Sequence, residues 1–309
     1  MSTILLDSAM GTRLEELGHK LSAPLWSATV LQSAPDDIMQ IHKENIEAGA
    51  QVITTNTFRT TPYSLHQAGL SGVDAHTRAR ALTLLAIRLA WKTVKESGKD
   101  VKIAAAIAPL ADSLSPENFP GNIVSRPWHD AQLDNLAHNS TDILLLETMN
   151  SAREAKGLTE LALRYEKPVW VSFSLNPDGQ IFNGDDLVST AVYLEKKGAS
   201  AIGVNCSSFE ASLKALKAMR EVVSIPLLAY PNVEHGGTKK KKTKLSPEKF
   251  VAWAEAVKEI ENGCAAWEGV HVKRGKMVIE LGVVNTNKGM AIEILRKRLG
   301  ATACMFMGD

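Results

Sequence analysis

Short, almost wholly apolar runs alternate with amphipathic stretches through the first 232 residues. The runs are TILLDSAM (3–10), AQVITTNTF (50–58), VKIAAAIAP (101–109), TDILLLETM (141–149), PVWVSFSL (168–175), ASAIGVNC (199–206) and PLLAYPN (226–232). Each is apolar on both faces, the pattern of strands buried in a parallel sheet. The stretches between them carry helix signals. APDDIMQIHKENIEAG (34–49) opens on Pro35, Asp36 and Asp37, and GDDLVSTAVYLEKKG (184–198) closes on Lys196, Lys197 and Gly198. Both match the capping and dipole preferences of helix ends. Seven such β-α steps predict an α/β fold, a (β/α)₈ TIM-type barrel, with a doubly wound sheet as the competing topology.

The pattern changes after Asn232. VEHGGTKKKKTK (233–244) reads as a solvated, mobile Gly- and Lys-rich surface segment. LSPEKFVAWAEAVKEI (245–260) reads as a helix with Ser246 as N-cap and Pro247 in its first turn. An eighth strand is then due. Instead GVHVKRGKMVIELGV (269–283) reads as a hairpin turning at KRGK, NTNKGMAIEILRKRLG (285–300) as a helix, and ATACMFM (301–307) as a last apolar strand. The eighth β-α unit is therefore expected to be atypical or incomplete. An open gap would leave two sheet edges, so residues 301–307 are expected to fill it, with the hairpin lying outside the barrel.

Composition narrows the function without naming it. Apolar residues make up 45% of the chain, charged residues 22%, and the net charge is +1. That balance makes no electrostatic case for nucleic acid, an anionic membrane or an acidic substrate. Neither a signal peptide nor a run of about 18 apolar residues is present, and a soluble, cytoplasmic protein is expected. The three cysteines, Cys206, Cys264 and Cys304, are too scattered for a disulfide framework.

In a barrel the carboxyl ends of the strands carry the active site. Polar residues collect there: Asp7, Thr55, Asn56, Asp112, Glu147, Thr148, Asn176, Asn205, Cys206 and Asn232. Asn176-Pro177-Asp178-Gly179 reads as a plain turn. Glu147 ends the apolar DILLLE and points to substrate contact. Cys206, at the end of AIGVNC, is by composition alone either a small buried hydrophobe or a ligand.

The order of LLDSAMGTRLEELG, TTNTF, IAPLADSLSPENFP, LLLETMNSAREA, VSFSLNPDGQIFNGDDL, AIGVNCSS and LLAYPN resembles the homocysteine S-methyltransferase family over residues 1–255. The resemblance implies methyl transfer from a donor to homocysteine, giving methionine, at a Zn²⁺ bound by three thiolates at the barrel mouth. It implies Cys206 as a zinc ligand, Asn205 beside the site, and Asp7 and Glu147 as the acids that hold the homocysteine amino group. Small-molecule partners, homocysteine and a methyl donor, follow. Ser8 stands where the family usually has glycine. The family's adjacent Cys-Cys pair, its other two zinc ligands, is missing, so the ligand set is incomplete and impaired zinc binding and activity are implied.

Residues 256–309 instead resemble the carboxyl-terminal part of a trehalose-phosphate phosphatase, through the GVHVKRGKMVIEL hairpin, the NKG helix start with Lys288, and Gly308-Asp309. This segment lacks the aspartate nucleophile and a full acidic motif, so phosphatase activity is not expected of it. On this reading Cys264 is a surface residue and Cys304 a core one. The alternative to a methyltransferase is a catalytically inactive barrel, from a fused or misjoined reading frame, that at most binds a small amino acid.

Overall fold

The structure, a computed structural model, describes residues 4–7, 9–232, 234–235, 243–244, 252 and 278–279. The chain opens with β1 (Ile4–Leu5) and α1 (Met10–Glu16), then α2 (Val30–Ser33), α3 (Pro35–Ala48), β2 (Val52–Thr54), α4 (Pro62–Gln67) and α5 (Gly72–Ser97). There follow β3 (Lys102–Ile107), α6 (Asn122–Leu136), β4 (Ile143–Met149), α7 (Ala152–Ala162), β5 (Val169–Phe173) and α8 (Leu187–Lys197). β6 (Ala201–Asn205), α9 (Phe209–Arg220) and β7 (Leu227–Tyr230) complete this alternation, before the short β8 (Glu234–His235), β9 (Thr243–Lys244) and β10 (Val278–Ile279).

Local chemistry sets these boundaries. The hydroxyls of Ser71, Ser151 and Ser208 and the carboxylate of Asp186 accept N–H bonds at the starts of α5, α7, α9 and α8. Gly49, Gly98 and Gly198 close α3, α5 and α8 in the left-handed region that glycine adopts without strain. The predicted 34–49 and 184–198 helices thus stand, trimmed by a few residues at their ends. Asn176 also matches its expected role, since its Oδ1 accepts the N–H groups of Asp178 and Gln180 at 3.0 and 3.1 Å.

The strands from β2 to β7 pair in parallel in sequence order, which makes a curled α/β sheet of the TIM type. Leu6, Val52, Leu145, Trp170, Leu228 and Tyr230 pack on the inner side of this sheet. Leu146, Val171, Phe173, Val204 and Ala229 face outward into a larger cluster with the helices. The strands are therefore buried on both faces, as their unbroken apolar runs require. At Gly203 a Cβ would meet Leu228 O at 1.9 Å, so no larger residue fits between β6 and β7 at that point.

At the other end of the strand order, β10 pairs in parallel with β7 on one side and β1 on the other, and a bridge between Leu6 and Val52 joins β1 to β2. The residues beside β7 and β1 are thus 278–279, not the expected 301–307. The second arm of the predicted hairpin contributes to the sheet and does not lie wholly outside it. The 245–260 helix (apart from Ala252), the 285–300 helix, the 301–307 strand and most of the lysine-rich loop lie outside the described residues, as do Ser8, Cys264 and Cys304.

Candidate functional site

The carboxyl rim of the sheet gathers the polar residues. Asp7, 3% exposed, follows β1 and accepts from Thr54 twice, from its N–H at 2.6 Å and its hydroxyl at 2.8 Å. Burial raises its pKa to about 7, against the pull of these bonds. Glu147 lies in β4 within a register shift between Leu146 and Met149, an irregularity that re-aims the strand at the rim. Burial, followed by the charge of Asp7, raises the Glu147 pKa to about 8, while a hydrogen bond with Tyr230 pulls it back. Tyr230 in turn shares a short hydrogen bond with Ser172. The two carboxyls thus face each other electrostatically and hold protons near neutrality, the setting in which a cation gains most by entering.

On the neighbouring rim, Asn205 donates through Nδ2 to Thr148 Oγ1 at 2.8 Å and lies 3.3 Å from Cys206 Sγ. Thr148 Oγ1 is 3.9 Å from the same sulfur. Thr148 and Cys206 both hold left-handed backbone, with φ of 59° and 48°. A left-handed conformation at a non-glycine residue costs roughly 1–3 kcal/mol and persists only where the surroundings impose it. Here it turns both side chains toward one another at the ends of β4 and β6. The Cys206 thiol is exposed. Three buried polar atoms, Asn150 Oδ1, Ser174 Oγ and Asn205 Oδ1, have no partner among the described residues, and all lie after or at the ends of β4, β5 and β6. Such atoms leave hydrogen-bonding capacity for a polar ligand or water.

The remaining predicted rim residues are structural. Thr55 and Thr57 bond each other at 2.7 Å, and Asn56 locks onto Ser27 through its carbonyl at 2.6 Å and its amide at 3.0 Å. Asp112 caps its own turn by accepting Leu114 N–H at 3.0 Å, and Asn232 N–H bonds Ser207 O at 2.8 Å. Sequence reasoning singled out neither Thr54 nor Tyr230. Thr54 is the first polar residue after Val52-Ile53 in VITTN, and Tyr230 is the one polar tip in LLAYP, signals visible only once Asp7 and Glu147 are placed.

Three thiolates around Zn²⁺ are not assembled by the described residues. No group of three or more His, Cys, Asp or Glu side chains among them could hold a metal ion. Cys206 brings one sulfur, and the full sequence holds no adjacent cysteine pair. The described residues therefore supply one of the three thiolates that the resemblance implies.

A curled parallel sheet with helices outside it, and acids and a thiol at its strand ends, defines an α/β protein of the TIM-barrel type. The model of the family described as homocysteine S-methyltransferase matches residues 4–278, and the chain belongs to that family. It is 28% identical to homocysteine S-methyltransferase 3 of Zea mays over 288 residues, covering 84% of this chain and 85% of the relative. Against homocysteine S-methyltransferase YbgG of Bacillus subtilis the identity is 29% over 246 residues, covering 74% and 77%. The metallated crystal structure of the homocysteine methyltransferase MmuM from Escherichia coli shares the fold, with a TM-score of 0.76, 24% identity and 96% of each chain covered. No helix among the described residues is long and apolar enough to cross a membrane.

Proposed function

We propose that the chain is a methyltransferase whose acceptor is homocysteine. The observation that carries this is the Asp7–Glu147 pair, two carboxyls raised by burial, Glu147 also by the charge of Asp7, at one rim of a sheet belonging to this family. An amino acid's ammonium group entering there relieves their repulsion and draws off their protons, so binding supplies the charge the site lacks. Asn205 and Thr148 then orient the neighbouring thiol. In the reaction the homocysteine sulfur bonds the donor's methyl carbon as the donor's own bond to that carbon breaks, and the thiol proton leaves to solvent. Positioning supplies most of what such an in-line transfer needs.

Zinc, when bound, supplies a thiolate at neutral pH. With Cys206 as the one thiol of the described rim, zinc affinity and methyl transfer are much reduced relative to a three-thiolate site. The partners are small molecules, homocysteine and a methyl donor, and the setting is cytoplasmic. The barrel is proposed to be a full (β/α)₈ ring with an atypical eighth unit. Residues 1–255 form the methyltransferase-like part, and 256–309, the stretch resembling a trehalose-phosphatase fragment, contribute the β10 strand. Parallel pairing of Val278–Ile279 with both β7 and β1 supports that arrangement.

The second reading, an inactive barrel that binds a small amino acid, is favoured by the incomplete donor set. One experiment separates the two. Zinc content by mass spectrometry and methyl transfer to L-homocysteine are measured for the full chain and for Cys206→Ser. The expected result is substoichiometric zinc and slow transfer, both unchanged by the substitution. Stoichiometric zinc that is lost in the variant restores the full zinc-enzyme reading, and no transfer by either protein leaves the binding-only barrel.

A further inference from the structure

The loop that follows β3 is held by three side chains, each gripping a different part of it. Arg59 donates through Nη1 to Pro109 O at 3.4 Å and Ala111 O at 3.0 Å. Asn150, just past β4, donates through Nδ2 to the carbonyls of Asp112 and Ser113 at 3.2 and 3.1 Å. Between them Glu154, in the first turn of α7, accepts the Leu110 N–H through Oε1 at 2.7 Å. The same oxygen lies 3.1 Å from His129 Nε2 on α6.

Glu154 is 1% exposed and His129 4%. A carboxylate taken so far from water costs several kcal/mol unless its bonds are well made, and an apolar pair would join two helices more cheaply. The helices do not need it. Gly157 of α7 already approaches α6 so closely that a Cβ would lie 2.7 Å from the Asn122 amide. What only Glu154 supplies is an acceptor for a rim amide that no strand partner satisfies. Burial disfavours the protonated form of Arg59, and the charges of Asp112 and Glu154 offset part of that effect, so the Arg59 and Glu154 grips support each other.

We propose that Glu154 is a positioning residue that sets the β3 rim loop, residues 109–113, at the mouth of the site. It belongs to the same strand–helix connection that presents Glu147, Thr148 and Asn150, so one stretch of eight residues, 147–154, would order both Glu147 and the loop beside it. The consequence for ligand binding rests on the reading under Proposed function, whereas the loop assignment does not.

The test uses the full chain with Glu154→Ala and Glu154→Gln. Amide hydrogen exchange is followed in peptides covering residues 108–119, with 201–207 as control, and L-homocysteine binding is followed by calorimetry. A cavity of about 210 Å³ adjoins the Glu154–His129 pair between α6 and α7, so truncation leaves room for water. In Glu154→Ala, exchange in 108–119 is expected to quicken at least tenfold with the control unchanged, and Kd to rise threefold to tenfold. Glu154→Gln keeps a carbonyl acceptor and should stay within threefold and twofold of wild type. Unchanged exchange in Glu154→Ala, equal acceleration of the control, or faster loop exchange with unaltered Kd overturns the proposal. A wild-type chain that fails to bind L-homocysteine overturns the functional reading alone, and the exchange comparison still upholds or overturns the loop assignment.

Discussion

The rim above β4 and the seam formed by β1 and β10 belong to one sheet and are built in opposite ways. β4 pairs over most of its length with both neighbours, and its carboxyl end passes directly into a connection where Thr148, Asn150, Ser151 and Glu154 each make a side-chain bond. Among the described residues β1 and β10 are two residues long each, and the Asp7 carboxylate is tied to the rest of the rim through Thr54. The comparison matters because the two regions share the chemistry. Glu147 stands on the well-built side and Asp7 on the lightly built one. In a site whose halves differ so much in support, stability and affinity need not be set by the same residues.

The largest expected effect tests that division directly. Phe173, fully buried on β5, should cost roughly 3–5 kcal/mol when changed to alanine, the range for losing a large core aromatic. At the seam, proline at Val278 or Ile279 removes a ladder N–H and constrains φ, for an expected penalty of about 1–3 kcal/mol from the carbonyl left unsatisfied. Urea midpoints measure both. A Val278→Pro chain as stable as wild type would mean that the seam contributes nothing, and the sheet would then depend on β2–β7 alone.

His42 sharpens the contrast from outside the site. It is fully buried on α3, neither ring nitrogen has a partner among the described residues, and burial lowers its pKa to about 4. Both states are neutral above pH 6.5, so its stability contribution is complete there. As the pH falls toward 4 the unfolded chain takes up a proton the folded chain refuses, and roughly 3 kcal/mol is lost. His42→Leu should abolish this acid loss. Midpoints at pH 7 and pH 4.5 that differ as much in the variant as in wild type would place the acid sensitivity elsewhere.

Glu147 acts with the opposite sign. Its folded pKa of about 8 lies above the ordinary 4.5, so its favourable contribution is full below pH 4.5 and is lost as pH rises through 8. Asp7, raised to about 7, adds in the same direction from pH 3.8 upward. Glu147→Gln should therefore stabilise the chain at pH 8.5, by about 2–3 kcal/mol once partial solvent access is allowed for, and change little at pH 4.5. The same variant should lose homocysteine binding at least tenfold. A variant that gains stability but keeps affinity would assign the ammonium to Asp7 alone, on the lightly built side.

Much of this arrangement was legible before any coordinates. Strands β2–β7 announced themselves as doubly apolar runs, and Asp7, Glu147, Asn205 and Cys206 stood at their ends. What the sequence concealed was geometry of small scale. The register shift at Leu146/Met149 and the left-handed backbone at Thr148 and Cys206 carry no compositional mark, because neither residue is a glycine. Glu154 and His129 read as ordinary helix positions, 25 residues apart, until the fold buries them together. The strand beside β1 was misplaced because GVHVKRGKMVIELGV reads as a self-paired hairpin, whereas Val278–Ile279 pairs in parallel with β7 and β1.

The smallest effect isolates the one bond pair that anchors Asp7. Thr54→Val keeps the backbone N–H, which donates at 2.6 Å, and removes the hydroxyl that donates at 2.8 Å. Both bonds favour the charged carboxylate, so losing one moves the Asp7 pKa further up from about 7, by less than a full unit if the bond is worth about 1 kcal/mol. The Glu147 pKa should then fall slightly, because a less charged Asp7 repels it less. Carbon-detected NMR titration of the side-chain carboxyls follows both groups in the full chain. Opposite movements of the two would show that the acids titrate as a pair across the rim. An Asp7 shift with no response at Glu147 would mean that the light and heavy halves of the mouth ionise independently, and the proposed shared ammonium site would lose its electrostatic basis.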